Sequence, residues 1–505
     1  MRANPDGRAG LAPETPTPMP VLHVAAECAP FAKAGGLADV VGALPQALDV
    51  PTAVVLPFYG GLSGRLAGRA GEVELVHAGM VWQDGWFPFE VWRSDAIAPD
   101  VPLYLVAEPA HFGDDGVYFR ASDGAWFERG EARYLAFQLM VLDWLRSDNS
   151  PLGGGDRPLD GLHLHDHHAG LVPVLLRHDP ANAAISGLPT VLTVHSADHH
   201  GEVGWPVWDA LGVAVPDRAG LDHLGVVNSL KAGVGHADAV TTVSPTYARE
   251  LVAGPGPSHG LDYAFRLAGD RLTGIVNGID TDVWDPTTDP HLPAPFSADD
   301  LRGKAETKRA VTAELGLDPA RPLAVFVGRL TPEKGAEVLA PGLNLVLDQT
   351  EAAVAVLGSG YAEHETALGA VASAAPAGRM SLTLAFDEPL AHRLYGAADL
   401  FLMPSRQEPC GLGQLYAMRY GAPPVVHGVG GLRDTVEPWD GRAGTGFRFD
   451  AFEPGAFAEA AAAALAVVAD GDARARLQQH GMRRDSSWAA SARAYRALYR
   501  SVGIG

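Results

Sequence analysis

What this 505-residue chain has little of narrows its chemistry first. It has two cysteines, Cys28 and Cys410, far apart in sequence. They define neither a disulfide framework nor a metal-binding spacing, and such sparing use fits a reducing cytoplasm. No stretch approaches the roughly 18 consecutive apolar residues of a membrane span, so no membrane partner is expected. Residues 1–20 are rich in Pro, Gly and Ala but lack the apolar core of a secretory signal, and read as a disordered tail. No repeat of about 20–50 residues is visible, which removes solenoid and propeller architectures. Positive charge is short as well: 38 Lys and Arg stand against 60 Asp and Glu, a net charge of −22. Nothing basic is dense enough to track a phosphate backbone, which excludes nucleic acid as a partner; a neutral substrate such as a sugar polymer fits better. The scarcest charged side chain is lysine. Only Lys33, Lys231, Lys304, Lys308 and Lys334 occur. Arginine fills the other basic positions, so lysine marks places that need a compact ammonium on a flexible stem.

What is present is an ordinary globular composition, 47% hydrophobic and 19% charged, in a chain long enough for two or three domains. Apolar runs alternate with helical stretches almost throughout, which predicts parallel sheets covered on both faces. The clearest strands in the first half are 21–27, 52–57, 101–106, 160–165, 189–195 and 237–243. In the second half they are 323–329, 353–357, 381–385, 399–403 and 423–427. Residues 281–322, rich in Pro, Asp and Thr, interrupt the alternation. The expected fold is therefore α/β, with two doubly wound Rossmann-like domains, 21–272 and 273–480, facing a deep cleft. Residues 481–505 are expected to form a terminal helix with Trp488, Tyr495, Leu498 and Tyr499 on its apolar side, packing back on the first domain. Ligands of such sheets bind beyond the carboxyl ends of the strands, so the motifs should converge at the cleft.

Three loops carry the chemistry. Lys33-Ala34-Gly35-Gly36-Leu37 joins an apolar strand to the amphipathic stretch 39–48. Backbone amides without a neighbouring Cβ, a helix N-terminus and an ammonium together make an anion site. Gly328-Arg329-Leu330-Thr331-Pro332-Glu333-Lys334-Gly335 follows the second domain's first strand. Thr331 then Pro332 reads as an N-cap and first turn, which puts two cations where a helix macrodipole disfavours them unless an anion arrives. Pro404-Ser405-Arg406-Gln407-Glu408-Pro409-Cys410-Gly411-Leu412-Gly413 is the third. It places the lone carboxylate of Glu408 where it can bind sugar hydroxyls or support a positively charged transition state. Two look-alikes weigh less. Asp280-Thr281-Asp282 has a metal-binding spacing but lies in the interrupting segment and reads as structural. The cluster His163, His165, His167 and His168 lacks a cysteine or second carboxylate, so Asp166 meeting a sugar is preferred to a metal.

These residues resemble the bacterial glycogen synthase and plant starch synthase family. The likeness runs over most of 21–500: Glu27 to Val40, His163 to Leu171, Thr193-Val194-His195, Val243 to Glu250, Val276 to Asp280, Arg329 to Gly335 and Ser405 to Tyr416. All five lysines fall where the family pattern also has lysine. The resemblance implies a GT-B glycosyltransferase that moves glucose from ADP-glucose, a co-substrate, to the non-reducing end of an α-1,4-glucan such as glycogen. Configuration would be retained, with no cofactor and no metal. Carried across, Lys33 and the Gly35 and Gly36 amides meet the donor's phosphates and sugar, and Arg329 and Lys334 neutralise the departing diphosphate. His195 and Asp166 contact the glucose near the reacting carbon, Glu408 holds sugar hydroxyls, and Cys410, Gly411 and Leu412 line the same pocket. Asp39, Asn277, Phe386 and Gly413 are the remaining substrate contacts it implies.

The chain departs from the family at three places. His195 is followed by Ser196-Ala197-Asp198-His199-His200-Gly201 where the family shows an asparagine and a Tyr-Gln-Gly. Gly413 replaces a threonine, and Phe386 replaces a tyrosine near the base. The alternatives are a related transferase with another donor or acceptor, an epimerase or a pyridoxal-phosphate-dependent phosphorylase on a similar fold, and an inactive homologue that only binds ADP-glucose or glucan.

Overall fold

Short Val-, Leu- and Ala-rich runs buried on both faces form most of the strands, as parallel sheets under helices require. The computed structural model describes residues 21–62, 73–98, 100–120, 127, 130, 132–150 and 159–505; the predicted tail 1–20 lies outside them. The first sheet contains β1 (Val21–Val24), β2 (Thr52–Pro57), β3 (Glu74–Trp82), β4 (Trp86–Ala98), β5 (Val101–Ala107), β6 (Gly161–His165) and β7 (Thr190–Val194). Three short strands, β8 (Glu202–Val203), β9 (Asp222–His223) and β10 (Val226–Asn228), pair separately, and β11 (Ala239–Thr242) and β12 (Leu272–Gly274) complete the first sheet. Its order is β12-β11-β7-β6-β1-β2-β5-β4-β3. The second sheet is β13 (Leu323–Val327), β14 (Ala353–Leu357), β15 (Met380–Thr383), β16 (Leu400–Met403), β17 (Pro424–His427) and β18 (Phe447–Phe449). Its order, β15-β14-β13-β16-β17-β18, is parallel throughout and reverses between β13 and β16. That is the doubly wound pattern with its switch point. In the first sheet the reversal falls between β1 and β6.

The expectation of parallel sheets throughout is corrected. The first sheet is mixed, because β4 runs antiparallel to both β3 and β5. The Asp84-Gly85 pair in the β3–β4 connection is the hairpin signal that marks this in the sequence. The segment 281–322 interrupts the alternation of strands and helices, as expected. It contains the helix Arg302–Glu314, whose Lys304 is buried and donates to the carbonyls of Gly396 and Tyr420 at 3.0 and 2.8 Å. Burial lowers this ammonium to about 7. Lys308 bonds Asp399 at 2.6 Å, and Lys231 reaches the carbonyls of Ala219 and Asp222. Three of the five lysines therefore fasten the scaffold, and the other two remain for the cleft.

The C-terminal segment is two pieces rather than one helix. A helix ends at Arg483, and after a break at 484–487 a second runs over Trp488–Ser501. The second packs on the first sheet's body. Trp488, Ala492, Tyr495, Tyr499 and Ile504 cluster with Val21, Val40, Leu44 and Val191. Burying each large side chain contributes roughly 1.5–3 kcal/mol. The returning strap lies against the outgoing one: Ile279 donates its amide to Ser486 at 2.8 Å, and Ser491 Oγ donates to Val276 O at 2.6 Å. Among the described residues no helix is long and apolar enough to cross a membrane.

Candidate active site

The chemistry-bearing loops leave strand ends at or beside the two switch points. Lys33 follows β1, Asp166 follows β6 and His195 follows β7; Arg329 follows β13 and the Glu408 loop follows β16. The two bodies touch here through matched helix ends. In the helix α1 (Pro245–Ala253), the amide and hydroxyl of Thr246 donate to Asp434 at 2.7 and 2.6 Å. Asp434 lies on α2 (Gly430–Thr435), whose first amide donates to Glu250 of α1 at 3.0 Å. Each helix thus supplies a carboxylate to the other's N-terminus, a charge-assisted exchange of orphan amides. Gln407 and Pro409, flanking Glu408, bond Pro257 O and Ser244 Oγ at 3.1 and 2.6 Å. A Cβ on Gly36 would sit 4.0 Å from Leu412 Cδ1, so the lysine-glycine loop faces the Glu408 loop directly.

Both cleft lysines already have carboxylate partners. Lys334 Nζ lies 2.8 and 2.6 Å from the two oxygens of Glu408, and Ser405 Oγ donates to the same carboxylate at 3.0 Å. Glu408 is only 5% exposed, while the Lys334 side chain keeps partial contact with solvent. Lys33 bonds Asp39 at 2.8 Å in a half-exposed pair, which ties Asp39 to the lysine and places it beside Glu388 and Asp280 of the opposite body. Arg329 is exposed and makes no ion pair among the described residues. The expected helix start at Thr331 is corrected: a 3₁₀ turn covers Pro332–Lys334, and the α-helix begins at Ala336. Thr331 Oγ1 caps nothing and is buried without a partner. What holds the turn is the Glu333 carbonyl, which accepts the amides of Arg406 and Gln407 at 2.9 and 3.3 Å. Gly335 has φ +75°, and a Cβ there would lie 1.9 Å from Pro404 O. The two cleft loops of the second body are thus one unit.

Glu27 heads the segment Glu27 to Val40 but has no role among the contacts that the resemblance implies. Its carboxylate accepts the amides of Ala34 and Gly35 at 2.6 and 2.8 Å, and also the hydroxyl of Tyr118. Burial above all raises its pKa. The Gly35 amide is therefore engaged within the chain, contrary to the expectation that it faces phosphate. Gly36, at the first helical position, keeps an amide with no intrahelical acceptor. The signal for Glu27 was its place at the end of an apolar strand, where a carboxylate needs buried donors.

Asp166 has φ 54° and ψ −166°, a sparsely populated conformation for a side-chain-bearing residue, of the kind that gathers at functional sites. It accepts the His195 amide at 2.6 Å. Burial, opposed in part by His167 and the amides of His195 and Ser196, pushes its carboxyl up to about 7. Near neutral pH it can thus offer a sugar hydroxyl either a donor or an acceptor. His163, His165 and His23 bring ligand atoms within 4.8 Å of one another. Both nitrogens of His163 are taken, by Tyr499 Oη at 2.7 Å and Thr193 Oγ1 at 2.6 Å, so the cluster is knit by hydrogen bonds. Asp280 accepts the amides of Asp282 and Val283 in a turn, the structural role expected of it.

Of the remaining implied contacts, Cys410 is buried within the first body's core cluster, and burial pushes its thiol up to about 12. Asn277 is 7% exposed, with its side-chain oxygen unpartnered. Gly411 has φ +76°. Gly413 opens a helix where a Cβ would come within 3.2–3.3 Å of Phe401 and Tyr395, so the small residue suits this packing. Phe386 is 85% exposed, available to a planar ligand. In the divergent loop, Ala197 donates its amide to Tyr247 Oη at 3.1 Å and Asp198 pairs with His259 at 2.7 Å, so the loop is anchored despite its altered sequence.

Comparison with known proteins bears on the family and the fold. Residues 20–266 match the family model of the starch synthase catalytic domain, and residues 321–467 match that of glycosyl transferases group 1. Glycogen synthase of Anaeromyxobacter dehalogenans (strain 2CP-1 / ATCC BAA-258) is 42% identical, covering 96% of this chain and all of its own. That of Streptococcus equi subsp. zooepidemicus (strain H70) is 39% identical with the same coverage. The catalytic domain of starch synthase IV from Arabidopsis thaliana, solved with ADP and acarbose, superposes with a TM-score of 0.84 at 30% identity, covering 96% of this chain and 99% of that one. Sucrose-phosphate synthase from Thermosynechococcus elongatus shares the fold, with a TM-score of 0.58 at 17% identity over 96% of this chain and 98% of its own.

Proposed function

The chain belongs to the glycogen synthase family of glycosyltransferases, with the two-domain GT-B fold, and from that premise we propose that it moves glucose from ADP-glucose to the non-reducing end of an α-1,4-glucan, with retention at the anomeric carbon. The observation that carries this reading is the Lys334–Glu408 pair at one switch point, opposite the Lys33–Asp39 pair at the other. Breaking the bond from the anomeric carbon to the diphosphate oxygen leaves positive charge on the sugar and negative charge on the phosphates. Arg329 and Lys334 take up the phosphate charge in a cleft where water is displaced, and fixed charges act strongly in such surroundings. As the diphosphate draws Lys334 toward itself, Glu408 is left free to accept sugar hydroxyls and to favour the positive sugar ring. Lys33 and the Gly36 amide meet the same donor from the first body, and Glu27 keeps that loop in place. Asp166 and His195 contact the glucose, Phe386 stacks on the base, and Asp39, Asn277 and Gly411 complete the lining. With cations supplied by the chain itself, no metal and no cofactor enters the scheme. Two buried free cysteines suit a reducing cytoplasm.

Glycogen incubated with the protein and labelled ADP-glucose or UDP-glucose tests the reading. Label should enter polymer from ADP-glucose with the higher kcat/KM. A preference for UDP-glucose would overturn the donor assignment, and no incorporation from either would overturn transfer.

A further inference from the structure

Across the middle of the first sheet runs a file of histidines that substrate contact alone does not account for. His23 on β1 stands in register with His163 on β6, and His165 lies two residues along the same face. His23 Nδ1 lies 3.1 Å from His165 Nε2, and His165 Nδ1 lies 3.0 Å from His195 Nε2. His23 and His165 are fully buried, while His195 is partly exposed at the cleft. The inner end of the file, His23 Nε2, is buried with no partner.

Proton accounting fixes the direction of such a file. A neutral imidazole has one N–H and one bare nitrogen. Each link holds one proton, so a choice at one end sets every ring. If His23 carried its proton on Nε2, an orphaned N–H would be sealed in the core, which native structures rarely tolerate. With the proton on His23 Nδ1, the orphan is only an unfilled lone pair. His23 Nδ1–H then donates to His165 Nε2, and His165 Nδ1–H donates to His195 Nε2. We propose that His165, held by His23, is a positioning residue that fixes His195 as the neutral Nδ1–H tautomer, so that His195 offers the cleft a hydrogen-bond donor. Burial supports neutrality along the whole file, lowering His23 and His195 to about 3 and His165 well below its usual range. The consequence rests on His195 contacting the sugar, where an Nδ1–H donor fits a hydroxyl or ring oxygen acting as acceptor. The tautomer itself does not depend on that reading.

Ring spectra of the ligand-free full chain labelled with ¹³C,¹⁵N-histidine test it, with the His195 signal assigned by its loss in His195→Gln. The wild-type ring should be neutral with its proton on Nδ1. His165→Leu should release it toward Nε2–H, the form favoured in water, and His165→Asn, whose amide nitrogen can stand where Nδ1 stood, should restore it. Turnover with ADP-glucose should fall about fivefold to tenfold in His165→Leu with KM within about twofold, and recover in His165→Asn. An Nε2–H or doubly protonated His195 in the wild type would overturn the proposal, as would a tautomer unmoved by His165→Leu. Should His165→Leu fail to fold, the wild-type spectrum and His165→Asn decide. A wild type that transfers nothing from ADP-glucose counts against the donor reading, and the ring spectrum still decides this one.

Discussion

Lys334→Ala is expected to lower turnover with ADP-glucose by about 10²–10³-fold, the loss of roughly 2.7–4 kcal/mol that follows removal of a preorganised group facing developing charge. Two effects add. On the proposed reading the diphosphate loses a cation, and Glu408, which is buried, loses the partner that neutralises it and keeps the Ser405 hydroxyl. A carboxylate left in that position also repels the incoming phosphates. The loss should therefore appear as a lower kcat as well as a higher KM, since the charge on the leaving group is greatest in the transition state. Steady-state kinetics alongside a urea melt separate this from unfolding, because Lys334 lies on a partly exposed turn whose backbone bonds do not involve its side chain. Turnover within about threefold of wild type would remove Lys334 from the mechanism.

Gly335→Ala is expected to be severe for a different reason. At φ +75° a side-chain-bearing residue is strained by about 1–2 kcal/mol. Here the new Cβ would also meet the Pro404 carbonyl at 1.9 Å, a backbone atom that cannot rotate away. Either the 3₁₀ turn or the end of β16 must move, for a total of roughly 3 kcal/mol or more. Lys334 ends that turn and Glu408 lies on the loop that follows β16, so activity should fall further than the remaining folded fraction explains. Gly316→Ala is the control. Gly316 has φ +67° but nothing within 4 Å of a new Cβ, so it carries the strain without the collision. Urea melts of both variants decide the point, and equal destabilisation would show that the close approach at Gly335 does not matter.

The parallel strands and both switch-point loops were legible because buried strands announce themselves as short apolar runs, and glycine and proline mark the turns between them. The β3–β4 hairpin was less so. Its strands are half exposed, their pattern mixes with polar residues, and only Asp84-Gly85 signals the reversal. The three loops were correctly seen to share an architectural position, but their internal pairing was not. Nothing in the spacing of Lys334 and Glu408, 74 residues apart, says that they meet, nor that Glu27 occupies the Gly35 amide. Lysine scarcity was a mixed guide. It pointed to Lys33 and Lys334 at the cleft, yet Lys231, Lys304 and Lys308 are kept for carbonyls and a carboxylate inside the scaffold. The His23–His165–His195 file needed the register of three parallel strands, which no local pattern supplies.

The central claim is that one diphosphate is gripped from both bodies at once. Calorimetric titration of ADP into the wild type, Lys33→Ala and Lys334→Ala tests it most directly. Each lysine lies on a different sheet's switch point, so each substitution alone should weaken ADP binding by about tenfold or more, the worth of one charge-assisted contact. Undiminished ADP affinity in Lys33→Ala, with the loss confined to Lys334→Ala, would contradict the two-sided grip and leave the Lys33 loop as scaffold.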